Sequence, residues 1–114
     1  MTIALVLFAI AAVGGLVIAV MRFKGKPYPP MGLALVHGAV AAAGLVALIA
    51  LVVQGQQAST ATIALVLFIV AALGGFALFF HHLRKVALPK WLVVVHALVA
   101  VTAFVLLLVP FLGL

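Results

Sequence analysis

The sequence predicts an all-α integral membrane protein: a four-transmembrane-helix bundle built from two tandem duplicated helical hairpins. Three observations lead to this prediction. The 114 residues are 71% hydrophobic with a mean hydropathy of +1.65, which is more apolar surface than a water-soluble domain of this length could bury. Four long apolar segments contain no Asp, Glu, Lys or Arg. Part of the first half of the chain also recurs in the second half.

Each of the four apolar segments is long enough to cross a bilayer as one helix. About 20 residues, at ~1.5 Å rise per residue, span a hydrocarbon core ~30 Å thick. The segments are continuously apolar rather than alternating, which favours helices over membrane strands. They are Thr2–Met21, Met31–Val53, Ala61–Phe80 and Trp91–Leu114. The first segment has no basic region before it and recurs in mid-chain, so we expect it to be a permanent helix rather than a cleaved signal peptide.

The recurring part defines two repeats. Thr2–Gly15 and Thr62–Gly75 are identical at 11 of 14 positions, at an offset of 60 residues. We therefore expect a single transmembrane domain over residues 1–114, with repeat 1 at 1–53 and repeat 2 at 61–114. Because each repeat contains two helices, both repeats enter the membrane in the same direction. A pseudo-twofold axis along the membrane normal would then relate them.

The basic residues lie in the two hairpin loops and nowhere else. They are Arg22, Lys24, Lys26, Arg84, Lys85 and Lys90. By the positive-inside rule, both hairpin loops face the cytoplasm and both termini face outside, and the expected location is the inner membrane of a bacterium. The net charge of +6 also favours attraction to the lipid bilayer through anionic lipids. Nucleic acid is not an expected partner, because both basic patches are short and held at a membrane surface.

Two kinds of side chain are absent, and their absence excludes several functions. Without cysteine there are no disulfides, thiolate zinc sites, iron–sulfur clusters or cysteine nucleophiles. Without Asp and Glu there are no paired carboxylates for acid–base catalysis and no carboxylate cages for Mg²⁺ or Ca²⁺. The lack of carboxylates also argues against a transporter, since proton relays in transporters commonly use them.

One histidine lies deep in each repeat. An ionisable residue inside a membrane is costly and is a candidate functional residue for that reason. His37 lies six residues after Met31, roughly 9 Å below the loop-side interface. Beyond the first loop the offset between the repeats is 59 residues, which aligns His37 with His96 at equal depth. Small residues, Ala41 and Ala100, follow one turn later on the same helix faces.

A pair of glycines lies at nearly the same depth in each repeat. These pairs are Gly14–Gly15 and Gly74–Gly75. Glycine has no side chain, so a neighbouring helix or a planar ligand can approach its backbone closely. The first pair also belongs to a stripe of small residues of the kind that packs membrane helices together. Helix packing alone would therefore explain these glycines, and the two roles are compatible.

Together these residues predict one b-type haem held between the repeats. His37 and His96 would ligate the iron from opposite sides, beside the glycine layer. Arg22 and Arg84 are candidate partners for the anionic haem propionates. In this arrangement the chain resembles small four-helix membrane b-type cytochromes, in which histidines on separate helices ligate haem beside glycine-rich faces. The resemblance covers the bundle plan and the two histidines, and no specific sequence signature.

The resemblance implies an electron carrier rather than a stand-alone enzyme, because two nitrogen ligands leave no open position on the iron for oxygen. It also implies quinone and a larger respiratory or photosynthetic membrane complex as partners. The sequence leaves open an alternative of another class: a non-enzymatic accessory subunit whose small-residue stripes dock onto a larger membrane complex. It also leaves open whether the chain forms a homo-oligomer.

Overall fold

Four antiparallel helices form the whole structure. The computed structural model describes residues 1–114. The helices are α1 (Thr2–Phe23), α2 (Met31–Val53), α3 (Ser59–Leu83) and α4 (Lys90–Phe111). Each is long and apolar enough to cross a membrane. The all-helical fold and the number of helices predicted from the sequence are therefore confirmed.

All four helices end in the same way. The residue after each C-cap has a positive φ, which is 108° at Gly25, 73° at Gly55, 74° at Gly113 and 55° at Lys85. This left-handed position lets the following backbone N–H groups reach carbonyl oxygens that the helix leaves unpaired. Three of the four positions are glycine, the residue for which this conformation costs least. Lys85 is the exception.

The helices extend beyond the predicted apolar segments at four ends. α1 continues past Met21 to Phe23, and α3 runs from Ser59 to Leu83 rather than from Ala61 to Phe80. α4 begins at Lys90 rather than Trp91. The first polar or charged side chain does not stop a helix, because the backbone continues to form helical hydrogen bonds until it turns left-handed. α4 stops at Phe111 and not at Leu114, for the same reason.

The helices are arranged as a square. α1 packs along α2 and α3 packs along α4, while α1 also contacts α4 and α2 contacts α3. α1 and α3 therefore face each other across one diagonal, and α2 and α4 across the other. Both hairpin loops lie at one end of the bundle, where the Leu88 N–H donates to the Pro27 carbonyl oxygen at 2.9 Å. We call this end the loop end and the opposite end the termini end.

The buried core lies in the termini half of the bundle. The rings of Phe8 on α1 and Phe68 on α3 stack across the diagonal, with centroids 3.8 Å apart and planes within 3°. Leu48 and Leu107 are almost completely buried beside them. A Cβ atom at Gly44 would lie 3.1 Å from the Phe8 ring, so alanine at this position would require the ring to move by a few tenths of an ångström. Such van der Waals packing is the main source of helix association in lipid.

Large apolar side chains cover the outside of the bundle. Ile3, Leu16 and Phe76, for example, are 73%, 65% and 70% exposed. A continuous apolar surface of this extent is unfavourable in water and suits hydrocarbon, where helices satisfy their own backbone groups. The structure is therefore consistent with a membrane protein.

Candidate functional site

Each deep histidine is hydrogen-bonded to the neighbouring helix of its own hairpin. His37 Nδ1 lies 2.8 Å from the Ala11 carbonyl oxygen, and His96 Nδ1 lies 2.7 Å from the Ala71 carbonyl oxygen. A carbonyl oxygen can only accept, so the Nδ1 atom of each ring carries the proton and donates it. In the neutral imidazole, the Nε2 lone pair is then free to bind a metal. Histidine ligands of metals are commonly held in this way.

The glycine pairs explain how the histidines reach these carbonyls. Gly15 lies four residues after Ala11, on the same face of α1. It therefore lies beside the carbonyl oxygen that His37 approaches. A Cβ atom at Gly15 would lie 2.9 Å from His37 Cε1. In the other hairpin, a Cβ atom at Gly75 would lie 3.2 Å from His96 Cε1. The glycines therefore provide space for the imidazole rings.

Gly14 and Gly74 extend the same surface. A Cβ atom at Gly14 would lie 3.6 Å from His37 Cβ, and one at Gly74 would lie 3.6 Å from His96 Nδ1. These are ordinary contact distances, so alanine would fit at either position. Within each glycine pair, the second residue is the one that the close approach of the ring requires.

The two histidines face each other across the α2/α4 diagonal. Their ring centroids are 6.4 Å apart and their planes are at 83°. With metal–imidazole bonds of ~2.0–2.1 Å and about 1.1 Å from each nitrogen to its ring centroid, two imidazoles on opposite sides of one metal ion have centroids about 6.3 Å apart. The centroid spacing of the two rings is therefore close to that of a bis-imidazole pair, and neither Nε2 atom has a hydrogen-bond partner within the chain.

The interior differs on the two sides of the histidine layer. Towards the termini end, the Phe8–Phe68 stack closes the bundle. Towards the loop end, inward-facing residues such as Ile18 and Leu78 are only half-buried. Ala41 and Ala100, one turn from the histidines towards the termini end, are also half-buried. The fully buried apolar cluster lies beyond them, in the termini half.

The two predicted arginine partners lie in different environments. Arg22 is half-buried, and its Nε–H donates to the Leu88 carbonyl oxygen at 2.8 Å. Arg84 is exposed, with its guanidinium 5.5 Å from the centroid of the Phe80 ring. Phe80 is itself exposed on the outside of the bundle. Of the two arginines, Arg22 is the one that packs between the hairpins.

The other two histidines lie at the loop end. His82 is buried, with its ring centroid 5.0 Å from that of Tyr28 and 6.1 Å from that of Phe79. His81 Nδ1 donates to the Ala77 carbonyl oxygen of its own helix at 2.8 Å. Neither histidine joins the His37–His96 pair.

Two features of the site were not predicted from the sequence. The carbonyl oxygens of Ala11 and Ala71 orient the histidines, and main-chain acceptors have no signature in residue type. The stacked Phe8 and Phe68 rings were also missed, although their recurrence in the repeat was a usable signal. Two surface grooves of about 230 and 390 Å³ lie at the termini end, where they share Met1 and touch no histidine.

Comparison with protein-family models, with curated proteins and with solved structures gives no match to this chain. The function of the chain is therefore inferred from the geometry and chemistry of the site itself.

Proposed function

We propose that this chain is a membrane-embedded haem-b electron-transfer protein in which His37 and His96 are the axial ligands of one haem iron. One observation carries the proposal: two imidazoles on diagonally opposed helices have the spacing of a bis-imidazole site, and each has its Nδ1–H already engaged. When bound, the haem would supply one-electron redox chemistry at the iron.

The proposal includes the membrane arrangement of the chain. The four helices would cross the bilayer as two duplicated hairpins related by a pseudo-twofold axis along the membrane normal. The matching Nδ1–carbonyl bonds of His37 and His96 support this relation. The basic loop end would face the cytoplasm of a bacterium and the termini would face outside.

The residues of the chain would orient the ligands and tune the metal. The bonds from Nδ1 to the carbonyls of Ala11 and Ala71 would fix each imidazole and increase the basicity of its Nε2 atom. The aliphatic side chains around the pair would exclude water and lower the local dielectric. Two nitrogen ligands would fill both axial positions, which favours electron transfer over oxygen chemistry. The propionates would be neutralised by cations at the loop end, Arg22 or Arg84.

A membrane quinone is the proposed electron partner. Quinones are lipid-soluble and would reach a carrier buried in the bilayer without leaving the membrane. A larger membrane complex is the other proposed source or acceptor of electrons.

Absorption spectroscopy of the purified chain tests the haem proposal. The chain would be expressed with haem supplied, purified in detergent, and measured oxidised and after reduction with dithionite. We expect a shifted Soret peak and a sharp reduced α-band, the features of six-coordinate low-spin haem. His37→Ala and His96→Ala should each abolish this spectrum, because each removes one axial ligand.

His81→Ala is the matched control and should retain the spectrum, since His81 bonds only its own helix. Wild-type spectra from both ligand variants would show that the site is wrongly assigned.

The alternative function, an accessory subunit of a larger membrane complex, is favoured by one observation. The outward face of α2 is lined with small exposed residues, including Gly38 and Ala42 one turn apart, and no atom lies within 4 Å of a Cβ atom built at Gly38. Small residues at this spacing let another membrane helix pack closely. A featureless visible spectrum, combined with co-purification of a larger complex, would favour this function over the haem carrier.

A further inference from the structure

The six lysine and arginine side chains have no carboxylate side chain to pair with. All lie in the two hairpin loops or in the helix ends beside them, and the chain contains no Asp or Glu. They therefore gather at the loop end of a bundle whose cross-section is about 22 × 19 Å. Charges of one sign held this closely repel one another, so the loop end favours an external anion.

The loop end has two seams where the hairpins meet, and these differ. At the α1/α4 seam, Arg22 donates to the Leu88 carbonyl oxygen, and Lys90 Nζ lies 5.6 Å from the centroid of the Phe23 ring. This seam therefore carries two cations, on adjoining ends of α1 and α4. Both belong to the membrane interface, where anionic headgroups are found.

The α2/α3 seam has no cation at the equivalent positions. The repeat offsets of 60 and 59 align Arg22 with His82 and Lys90 with Met31. His82 is buried against the Tyr28 ring, so this seam is filled by aromatic side chains. The near-symmetry of the two hairpins is thus broken at the loop end, and the α1/α4 seam is the cationic one.

Arg22 retains unused donors. A guanidinium has five N–H groups, and the one on Nε is the group that bonds the Leu88 carbonyl. That bond holds a half-buried arginine in a fixed position, with its remaining N–H groups available for a planar pair of oxygens. Phe23 and Trp91 are 52% and 68% exposed beside it, so the seam opens outward to the bilayer.

We propose that the α1/α4 seam binds the phosphate group of one anionic phospholipid through Arg22 and Lys90. A lipid phosphate is favoured over a haem propionate because Lys90 and its neighbours Phe23 and Trp91 are exposed on the outside of the bundle. The stoichiometry follows from the asymmetry: one tightly held anionic lipid per chain at this seam and none at the α2/α3 seam. The proposal assigns Arg22 to the lipid and leaves Arg84 as the cation for the haem propionates, and it does not otherwise depend on haem binding at the histidines.

Native mass spectrometry of the detergent-solubilised chain tests this proposal with phosphatidylglycerol as the probe and phosphatidylcholine as the zwitterionic control. We expect one phosphatidylglycerol to remain bound under activation that removes phosphatidylcholine. The double variant Arg22→Gln/Lys90→Gln should lower the affinity by about tenfold or more, since each hydrogen bond lost is to a charged group. The control Lys24→Gln/Lys26→Gln removes the same charge from the same end and should retain the lipid.

Four further measurements complete the test. Lys90→Gln alone leaves the Arg22–Leu88 hydrogen bond intact and should still weaken the binding of phosphatidylglycerol. Circular dichroism would verify that each variant is helical. Equal losses in the two double variants would show diffuse charge attraction and overturn the site. Complete displacement of the lipid by inorganic phosphate would identify free phosphate as the ligand. Loss of the lipid on haem loading would assign Arg22 to a propionate. Either of these two results would also overturn the proposal.

Discussion

Replacing Gly15 by alanine tests whether the glycine pairs make room for the histidines. The new Cβ atom would lie 2.9 Å from His37 Cε1, whereas ordinary contacts of a Cβ atom are 3.4–4 Å. The imidazole must therefore move by about 0.5–1 Å, as for any overpacked side chain. A shift of this size would stretch the 2.8 Å bond from His37 Nδ1 to the Ala11 carbonyl oxygen to beyond hydrogen-bonding distance.

The energetic effect combines three contributions. Overpacking in a fitted interior costs about 1–3 kcal/mol, and loss of one hydrogen bond costs about 0.5–1.5 kcal/mol. Alanine stabilises a helix by up to about 1 kcal/mol relative to glycine. We therefore expect Gly15→Ala to lower the free energy of unfolding by about 0.5–4.5 kcal/mol. Gly75→Ala should cost less, because its Cβ atom would lie 3.2 Å from His96 Cε1.

Gly38→Ala is the matched control, since nothing lies within 4 Å of its Cβ position. It should be neutral or stabilising by up to about 1 kcal/mol from helix propensity alone. Reversible unfolding in sodium dodecyl sulfate, followed by far-ultraviolet circular dichroism, would rank the three variants. If Gly15→Ala proved as stable as Gly38→Ala, the glycine would not be required by the histidine ring. If the chain binds haem, Gly15→Ala should also shift its absorption spectrum.

Two further predictions concern the loops. Gly25→Ala should destabilise the chain by about 1–2 kcal/mol, because its φ of 108° is strained for any side chain, whereas Lys85→Gly at the equivalent position should stabilise it by up to about 1 kcal/mol. The thermal unfolding temperatures of Gly25→Ala and Lys85→Gly should therefore shift in opposite directions. Shifts of the same sign would contradict the explanation from backbone conformation. Cysteine labelling tests which end of the bundle faces the cytoplasm. The chain has no native cysteine, so Lys26→Cys and Gln57→Cys each introduce a single thiol. A membrane-impermeant maleimide added to intact cells should label the second variant and not the first, and the reverse pattern would contradict the proposed orientation.

The sequence was sufficient for the number, type and approximate extent of the helices. Uninterrupted apolar segments of about 20 residues are a local property, and in lipid the backbone must pair with itself, so few structures other than a helix are available. The segment Met31–Val53 matches α2 at both ends. At the C-terminal ends of α1, α3 and α4, the errors arose because hydropathy detects charge and not the left-handed turn that ends a helix.

The sequence also predicted that the candidate site residues share one layer of the bundle. A helix rises by a constant amount per residue, so counting from the loops places His37, His96 and both glycine pairs in one layer. The contacts of the glycines with the two histidine rings agree with this layer. Depth, however, does not determine the direction in which a side chain points around its helix.

That direction, and what each group touches, was decided by the tertiary structure. The sequence suggested that the glycines line a slot for a planar ligand, whereas in the structure the histidine rings lie against Gly15 and Gly75. Only helix packing brings the Ala11 carbonyl within reach of His37 and joins Arg22 to Leu88 between two hairpins. The helices themselves follow from the sequence because their hydrogen bonds are local. The contacts of the site could be seen only in the structure, because the groups that touch each other lie on different helices. The rotation of each helix relative to its neighbours is set by how all four helices pack together.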